Sequence, residues 1–260
     1  MMRRSERIRS YTEVGVETLR IPTRNATGEE DAGPDDAAND GGTLKSSERI
    51  SLDGNASHQP SVNLCCKKRV LKIGTWNVRT LNQSGKFELL LDELERLHLD
   101  IIGLCETRWK GEGLFNPDKT TTVVYSGKES GKSESGVAIV LKGEARKSLD
   151  AYTPISDRIV TARLNAKPKP LTVIQVYAPT STQDECTKDQ FYDQLQATVD
   201  KVNKGDICIV MGDLNAKVGE GQDTKCGIGR FGLGKRNESG DKLAEFCHAN
   251  NYTTLHKYTI

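Results

Sequence analysis

Four short apolar runs in this chain each lead into a polar residue, and this pattern limits the folds that the chain can adopt. Asn77 follows VLKIGTW, Glu106 follows IIGLC, Tyr177 ends LTVIQVY and Asp213 follows DICIVMG. Apolar runs of about four to eight residues are typical of strands that are covered on both faces. The chain is therefore expected to build layered sheets whose strands carry polar groups at their ends.

Amphipathic helices and further strands fill the intervals between these runs. Helical periodicity of the apolar residues is clear in three segments, and Ser239 is the predicted N-cap of the last one. Because helices alternate with single strands and with hairpin-like groups, two packed sheets or one mixed sheet fit better than a Rossmann fold. The predicted helices are 86–100, 190–202 and 239–251, and the further strands are 123–126, 136–141, 158–164 and 252–260.

Residues 1–68 differ in composition from the rest of the chain. The stretch ATGEEDAGPDDAANDGG (26–42) is acidic and built of small residues. Such a segment cannot bury enough apolar surface to offset the loss of chain entropy. The sequence therefore predicts an unstructured tail over residues 1–68 and one domain over residues 69–260.

Charge and cysteine content exclude several classes of protein. The chain has 37 Lys and Arg against 36 Asp and Glu, so nucleic acid would have to bind at a local patch or through a metal ion. It contains no apolar run of about 18 residues and no signal-peptide pattern, so neither a membrane span nor secretion is expected. The seven cysteines form no C-x-x-C pair, which indicates free thiols and a nuclear or cytoplasmic location.

The polar strand ends have the chemistry of a cation site. Each one alone is explained by a strand that leaves the core and enters solvent. Taken together, however, Glu106 and Asp213 carboxylates and an Asn77 carbonyl are the oxygen donors that suit Mg²⁺ or Mn²⁺. Ligands of open α/β sheets also gather beyond the ends of the strands.

Five motifs along the chain resemble those of a known family. In order they are TWNVRTL (75–81), CETRW (105–109), SGVAIVL (135–141), VYAPT (176–180) and GDLNAKVG (212–219). This series resembles the endonuclease/exonuclease/phosphatase superfamily over about residues 70–260. The sequences of these motifs most resemble those of endonuclease domains of RTE-type non-LTR retrotransposons and of cellular proteins that look derived from them. The resemblance implies a two-sheet, four-layer α/β sandwich and a magnesium-dependent hydrolase that acts on DNA.

The resemblance also implies a role for each residue of the candidate site. Glu106 matches the family's metal-binding glutamate, and Asn77 matches the asparagine beside the metal and the substrate phosphate. Tyr177 matches the tyrosine that contacts the scissile phosphate. Asp213 matches the aspartate that orients or deprotonates the attacking water, and Asn215 matches its neighbour that helps to hold phosphate. A cation and hydrogen-bond donors are what phosphodiester cleavage requires, because negative charge grows on the phosphate oxygens.

The sequence departs from the family pattern at two points. Arg79 stands where many relatives carry an aspartate, and the closing Ser-Asp-His motif is absent. The string Ser156-Asp157-Arg158 lies mid-chain and in the wrong context. None of the histidines is in the context of the closing histidine; they are His58, His98, His248 and His256.

These departures predict that the chain lacks the last strands of its second sheet. We then expect weak or no catalysis, and an exposed sheet edge that attracts a protein partner to complete it. Three functions remain open at this point. They are a DNA endonuclease domain, a non-catalytic binding protein with the same fold, and a phosphatase of the same superfamily.

Overall fold

The computed structural model describes residues 17–20, 64–65, 71–131, 134–220 and 234–256. The strands in chain order are β1 Glu17–Arg20, β2 Leu64–Cys65, β3 Ile73–Asn77, β4 Ile101–Cys105, β5 Glu112–Phe115, β6 Thr121–Ser126, β7 Val137–Lys142, β8 Leu149–Ser156, β9 Ile159–Leu164, β10 Ala166–Lys167, β11 Leu171–Tyr177, β12 Ile207–Asp213 and β13 Thr253–His256. The helices are α1 Lys86–Leu97, α2 Gly143–Lys147, α3 Glu185–Asp200 and α4 Glu238–Ala249. These elements belong to one compact unit.

Most of the described strands form two sheets. The five-stranded sheet has the order β3-β4-β7-β6-β5, and the six-stranded sheet has the order β13-β1-β12-β11-β9-β8. Strands β3 and β4 are parallel, as are β11 and β12, while the other pairs within these two sheets are antiparallel. The short strands β2 and β10 form a separate parallel pair.

The two sheets pack face to face, and helices cover their outer faces. Residues of β9, β11 and β12 alternate between the two sides: Val173 and Met211 face the other sheet, whereas Ile174 and Val210 pack towards the helices. Helix α1 covers the five-stranded sheet with buried Leu90 and Leu94. Helices α3 and α4 cover the six-stranded sheet; their buried apolar residues include Phe191, Leu195, Leu243 and Phe246. Because both faces are covered, the strands read as continuous apolar runs, and the predicted two-sheet α/β sandwich is confirmed.

The ends of all three predicted helices differ from the prediction. Helix α3 begins at Glu185 rather than at residue 190 and ends at Asp200 rather than at residue 202, and α4 ends at Ala249 rather than at residue 251. Helix α1 ends at Leu97 rather than at residue 100, because His98 adopts a left-handed backbone with φ 52°. The N-cap of α4 is Asn237 rather than Ser239, since the Asn237 side chain accepts a hydrogen bond from Gly240 N. Among the described residues, none of the helices is long and apolar enough to cross a membrane.

Strand β1 lies between β12 and β13 in the six-stranded sheet. Thr18 pairs with Met211 on one side and with Leu255 on the other, both in antiparallel register. Strand β12 is therefore not an edge strand, and no partner is needed to pair with it. The rest of the predicted tail, residues 1–68, lies outside the described residues except for β2, as does the end of the strand predicted over 252–260.

A glutamine fills the space beside a glycine at the centre of the inter-sheet core. Gln175 is fully buried, and its Nε2 donates to Thr75 Oγ1 at 3.3 Å and to Cys105 Sγ at 3.0 Å. A Cβ atom added to Gly103 would lie 1.7 Å from Gln175 Oε1. The inter-sheet distance here therefore depends on glycine in one sheet and glutamine in the other.

Gly103→Ala is expected to lower the free energy of unfolding by about 1–3 kcal/mol, because the new methyl group overlaps the Gln175 amide. Chemical denaturation measures the effect. Gly205→Ala is the matched control, since a Cβ there meets nothing within 4 Å, and should change stability by less than about 0.5 kcal/mol. Gln175→Ala should reduce the cost of Gly103→Ala in the double variant. Equal costs for Gly103→Ala and Gly205→Ala would contradict the proposed fit.

Candidate active site

The four polar strand ends meet at one end of the sandwich. Asn77 ends β3 and lies opposite Cys105, the last residue of β4, which Glu106 follows. In the other sheet, Tyr177 of β11 lies opposite Asp213 of β12. Each sheet therefore contributes the carboxyl ends of one parallel strand pair, and these ends face each other.

The amide group of Asn77 bridges the two carboxylates. Its Nδ2 lies 2.9 Å from Glu106 Oε1 and 2.9 Å from Asp213 Oδ2, and donates to both. Its Oδ1 accepts a hydrogen bond from Arg79 N at 3.2 Å. The two amide hydrogens thus hold Glu106 of one sheet and Asp213 of the other at a common centre. Arg79 is exposed.

Tyr177 supplies a second neutral donor to Glu106. Its hydroxyl donates to Glu106 Oε1 at 3.0 Å. Burial, and then the charge of Glu106, raise the pKa of Tyr177 well above its ordinary range. The phenol is therefore protonated at neutral pH and can act as a hydrogen-bond donor.

Asp213 is oriented by its own loop. Its Oδ1 accepts a hydrogen bond from Asn215 N at 3.0 Å, and Asn215 Nδ2 donates to Ala178 O at 2.8 Å. Asn215 has a left-handed backbone with φ 46°. All five predicted site residues are therefore brought together, and Asn215 uses one amide hydrogen to fix the loop.

Non-glycine residues with positive φ concentrate in the loops of this site. Such backbone conformations cost on the order of 1–3 kcal/mol each and persist where surrounding contacts enforce them. Here the loops bond to each other: Thr80 N donates to Glu106 O at 2.8 Å, and Leu81 N donates to Thr107 O at 3.0 Å. The strained residues are Arg79, Thr80, Glu106, Arg108 and Asn215.

Two arginines beside the site were not among the predicted site residues. Arg108 Nη2 lies 3.3 Å from Glu106 Oε2. Arg158 Nη1 donates to Tyr177 O at 3.1 Å, and its guanidinium carbon lies 5.2 Å from the centre of the Tyr177 ring. The Ser156-Asp157-Arg158 string thus reaches the site, although its mid-chain position argued against this. Arg108 could have been predicted from the sequence, because it lies two residues after Glu106 in the motif CETRW.

Histidine does not join this cluster within the part of the chain whose side chains are described. His98 is the C-cap residue of α1, and His248 lies in the last turn of α4. The side chains of His58 and His256 lie outside the described parts.

The residues present fit a hard divalent cation held through few protein ligands. Glu106 and Asp213 offer carboxylate oxygens at a half-buried position, with the Asn77 amide between them. The described residues contain no cluster of three or more His, Cys, Asp or Glu side chains arranged for a metal. Mg²⁺ commonly binds through one or two carboxylates and keeps several waters, so this donor set suits it better than Zn²⁺.

Comparisons with known proteins agree with the fold and the motifs. The profile of the Endonuclease/Exonuclease/phosphatase family matches residues 74–255. Craniofacial development protein 2 of Bos taurus is 41% identical over 186 residues, which is 72% of this chain and 31% of the relative. The protein of that name from Tragulus javanicus is 39% identical over 195 residues, or 75% of this chain and 33% of the relative.

This chain therefore spans about a third of the length of the curated relatives that it matches. Among solved structures, the AP endonuclease LMAP from Leishmania major is similar in fold, with a TM-score of 0.51 and 16% sequence identity. The similarity covers 70% of this chain and 67% of that chain.

Divalent-cation binding is expected to depend on Glu106. Glu106→Gln should weaken Mg²⁺ or Mn²⁺ binding on the order of tenfold or more, because a carboxylate binds a hard cation more strongly than an amide does. Isothermal titration calorimetry measures both affinities. Glu245→Gln changes an exposed carboxylate on α4 and should leave the affinity unchanged. Equal affinities of the native chain and Glu106→Gln would place the cation elsewhere.

Proposed function

The chain belongs to the endonuclease/exonuclease/phosphatase family, and on that premise we propose that it is a Mg²⁺- or Mn²⁺-dependent phosphodiesterase domain of the endonuclease type that acts on DNA. We further propose that it derives from a retrotransposon, because its five motifs resemble those of retrotransposon endonuclease domains. The solved structure with the similar fold is named an AP endonuclease, which supports DNA as the substrate class.

One observation carries this proposal: the Asn77 amide spans Glu106 and Asp213 at the meeting point of the two sheets. Two half-buried carboxylates, one from each sheet, lie on either side of a single amide group. Bringing like charges together costs free energy unless donors or a cation offset it. The arrangement is therefore suited to a cation and a phosphate group.

The proposed roles follow from the contacts. Glu106, with Asn77 beside it, would hold the divalent cation. When bound, Mg²⁺ supplies positive charge that stabilises the phosphate oxygens. Asp213 would accept the proton of the attacking water, because its carboxylate is held by donors on both sides. Tyr177 would donate to the phosphate, as would the second amide hydrogen of Asn215.

The arginines complete the charge balance around the phosphate. Arg108 touches Glu106, and Arg158 lies against Tyr177, so both guanidinium groups border the same centre. Guanidinium groups bind phosphate by paired hydrogen bonds and remain charged at any working pH. They would supply positive charge beside the phosphate in a chain whose net charge is only +1.

We expect this 260-residue chain to cleave slowly. The described site has no histidine donor, and loss of one transition-state donor commonly costs on the order of 10²–10³ in rate. This feature favours the second candidate function, in which the chain binds DNA at the same site without cutting it.

Nicking of supercoiled plasmid, with the chain in excess over DNA, tests the proposal. We expect slow nicking that requires Mg²⁺ and falls on the order of 10²-fold or more in Asp213→Ala, because the general base is lost. Asp193→Ala removes an exposed carboxylate on α3 and should nick like the native chain. Release of phosphate from an inositol phosphate, measured in parallel, should not occur.

The outcomes separate the candidate functions. Equal nicking by the native chain and Asp213→Ala would contradict a nuclease that uses this site. Mg²⁺-dependent DNA binding without nicking would identify the non-catalytic binding protein. Inositol phosphate hydrolysis that needs Asp213 would identify the phosphatase. Fast nicking that needs Asp213 would support the function and contradict the expected slow rate.

A further inference from the structure

An open pocket with aromatic walls lies beside the loop that carries Glu106. The side chains that line it are Asn82, Trp109, Lys110, Phe115 and Tyr125. Its volume is about 440 Å³, which falls within the range of small-ligand sites, roughly 300–1,000 Å³. None of these five residues belongs to the cluster that surrounds Asn77.

The aromatic walls of the pocket hold one another in place. The ring centres of Trp109 and Phe115 are 5.7 Å apart, and those of Trp109 and Tyr125 are 5.6 Å apart. Phe115 and Tyr125 are separated by 5.9 Å, and all three pairs have edge-to-face geometry. Each ring is half buried and contacts both others, so the three side chains form one continuous aromatic surface.

The backbone fixes Trp109 at this position. A Cβ atom on Gly127 would lie 2.0 Å from Trp109 O, so only glycine permits this close approach. Gly127 N donates to Gly111 O at 2.8 Å, and Gly111 N donates to Lys128 O at 3.1 Å. The segment after β6 is thereby tied to the segment that follows Trp109.

The pocket and the candidate cation site share two loops. Trp109 follows Glu106 by three residues, and Asn82 lies on the loop that follows Asn77 at the end of β3. Asn82 Nδ2 donates to Arg108 O at 2.7 Å, while the Arg108 guanidinium contacts Glu106 at 3.3 Å. A nucleotide next to a phosphate at Glu106 therefore has this pocket within reach.

We propose that the aromatic pocket binds one unpaired nucleobase of a DNA strand whose phosphate lies at Glu106. This inference rests on the proposed function and adds a base-binding subsite to it. The rings of Trp109, Phe115 and Tyr125 offer flat surfaces for stacking, and every base has a face that can stack. One hydrogen of the Asn82 amide is bonded to Arg108 O, which leaves the other hydrogen and the carbonyl oxygen for a base edge. Lys110 lines the same pocket and supplies a positive charge beside it.

Tryptophan fluorescence tests the subsite without any need for catalysis. The chain has two tryptophans, and Trp76 is only 9% exposed, so a ligand in the pocket quenches Trp109. The probes are a short oligothymidylate and an abasic deoxyribose-phosphate strand of equal length, both with Mg²⁺. We expect quenching by the oligothymidylate alone, and an affinity for it about 5- to 100-fold higher than for the abasic strand.

Variants identify the rings that bind the base. Trp109→Phe should lose the quenching but keep most of the affinity, because phenylalanine also stacks. Tyr125→Leu keeps apolar bulk without a stacking face and should lower the affinity for oligothymidylate by about 5- to 100-fold, with no change for the abasic strand. Tyr152→Ala removes an exposed ring on β8 and should bind both strands normally. Circular dichroism verifies that each variant is folded.

The result distinguishes this inference from the proposed function. Equal binding of both strands without quenching overturns the base subsite and leaves DNA binding at the phosphate site intact. Absence of binding to either strand, together with no quenching by free thymidine, overturns both. Quenching by thymidine alone, with no affinity for either strand, supports the pocket and contradicts the proposed function.

Discussion

A series of main-chain hydrogen bonds ties the two sheets together at the end where the polar side chains lie, and the rest of the site depends on it. Loops of the five-stranded sheet bond to each other, and one bond then crosses to the six-stranded sheet. The Ser135 hydroxyl reinforces that crossing by donating to the Asp157 carboxylate. The series runs through Thr80 N to Glu106 O, Thr107 N to Gly136 O, Gly136 N to Asp157 O, Tyr177 N to Arg158 O, and Ala178 N to Asp213 O.

This main-chain framework explains how half-buried charges can be held so closely. The loop conformations of Glu106 and Asn215 are unfavourable alone, but their neighbours' N–H and C=O groups are paired, so the loops cannot relax without breaking bonds. Beneath them the Cys105 thiol accepts from Asp213 N at 3.4 Å, and burial raises the pKa of this thiol far above its ordinary range. The Cys105 thiol beneath the site is therefore uncharged, and the charges of the site are those of the half-buried carboxylates above it.

The sequence predicted the parts of the fold that have strong periodicity and covered faces. Four site residues, Asn77, Glu106, Tyr177 and Asp213, were found because each ends an apolar run, and they do meet. Asn215 was found only through the family motif that contains it. Strand β8 was missed because it lies at a sheet edge, is largely exposed and contains bulges, so it lacks a regular apolar pattern. Arg158 was missed because the pairing of β9 with β11 brings it to Tyr177. The spacing of residues along the chain does not predict such a long-range contact. Asn237 was not predicted as the N-cap of α4, because Ser239, two residues later, can cap a helix in the same way.

The contact between Gly103 and Gln175 makes two distant positions of the chain dependent on each other during sequence divergence. A larger residue at position 103 has no room while the glutamine is present, and a smaller residue at position 175 leaves a void and an unpaired Thr75 hydroxyl. Homologues should therefore change these two positions together or not at all. In an alignment of such chains, the residues at positions 103 and 175 would indicate the distance between the two sheets, even where no structure has been determined.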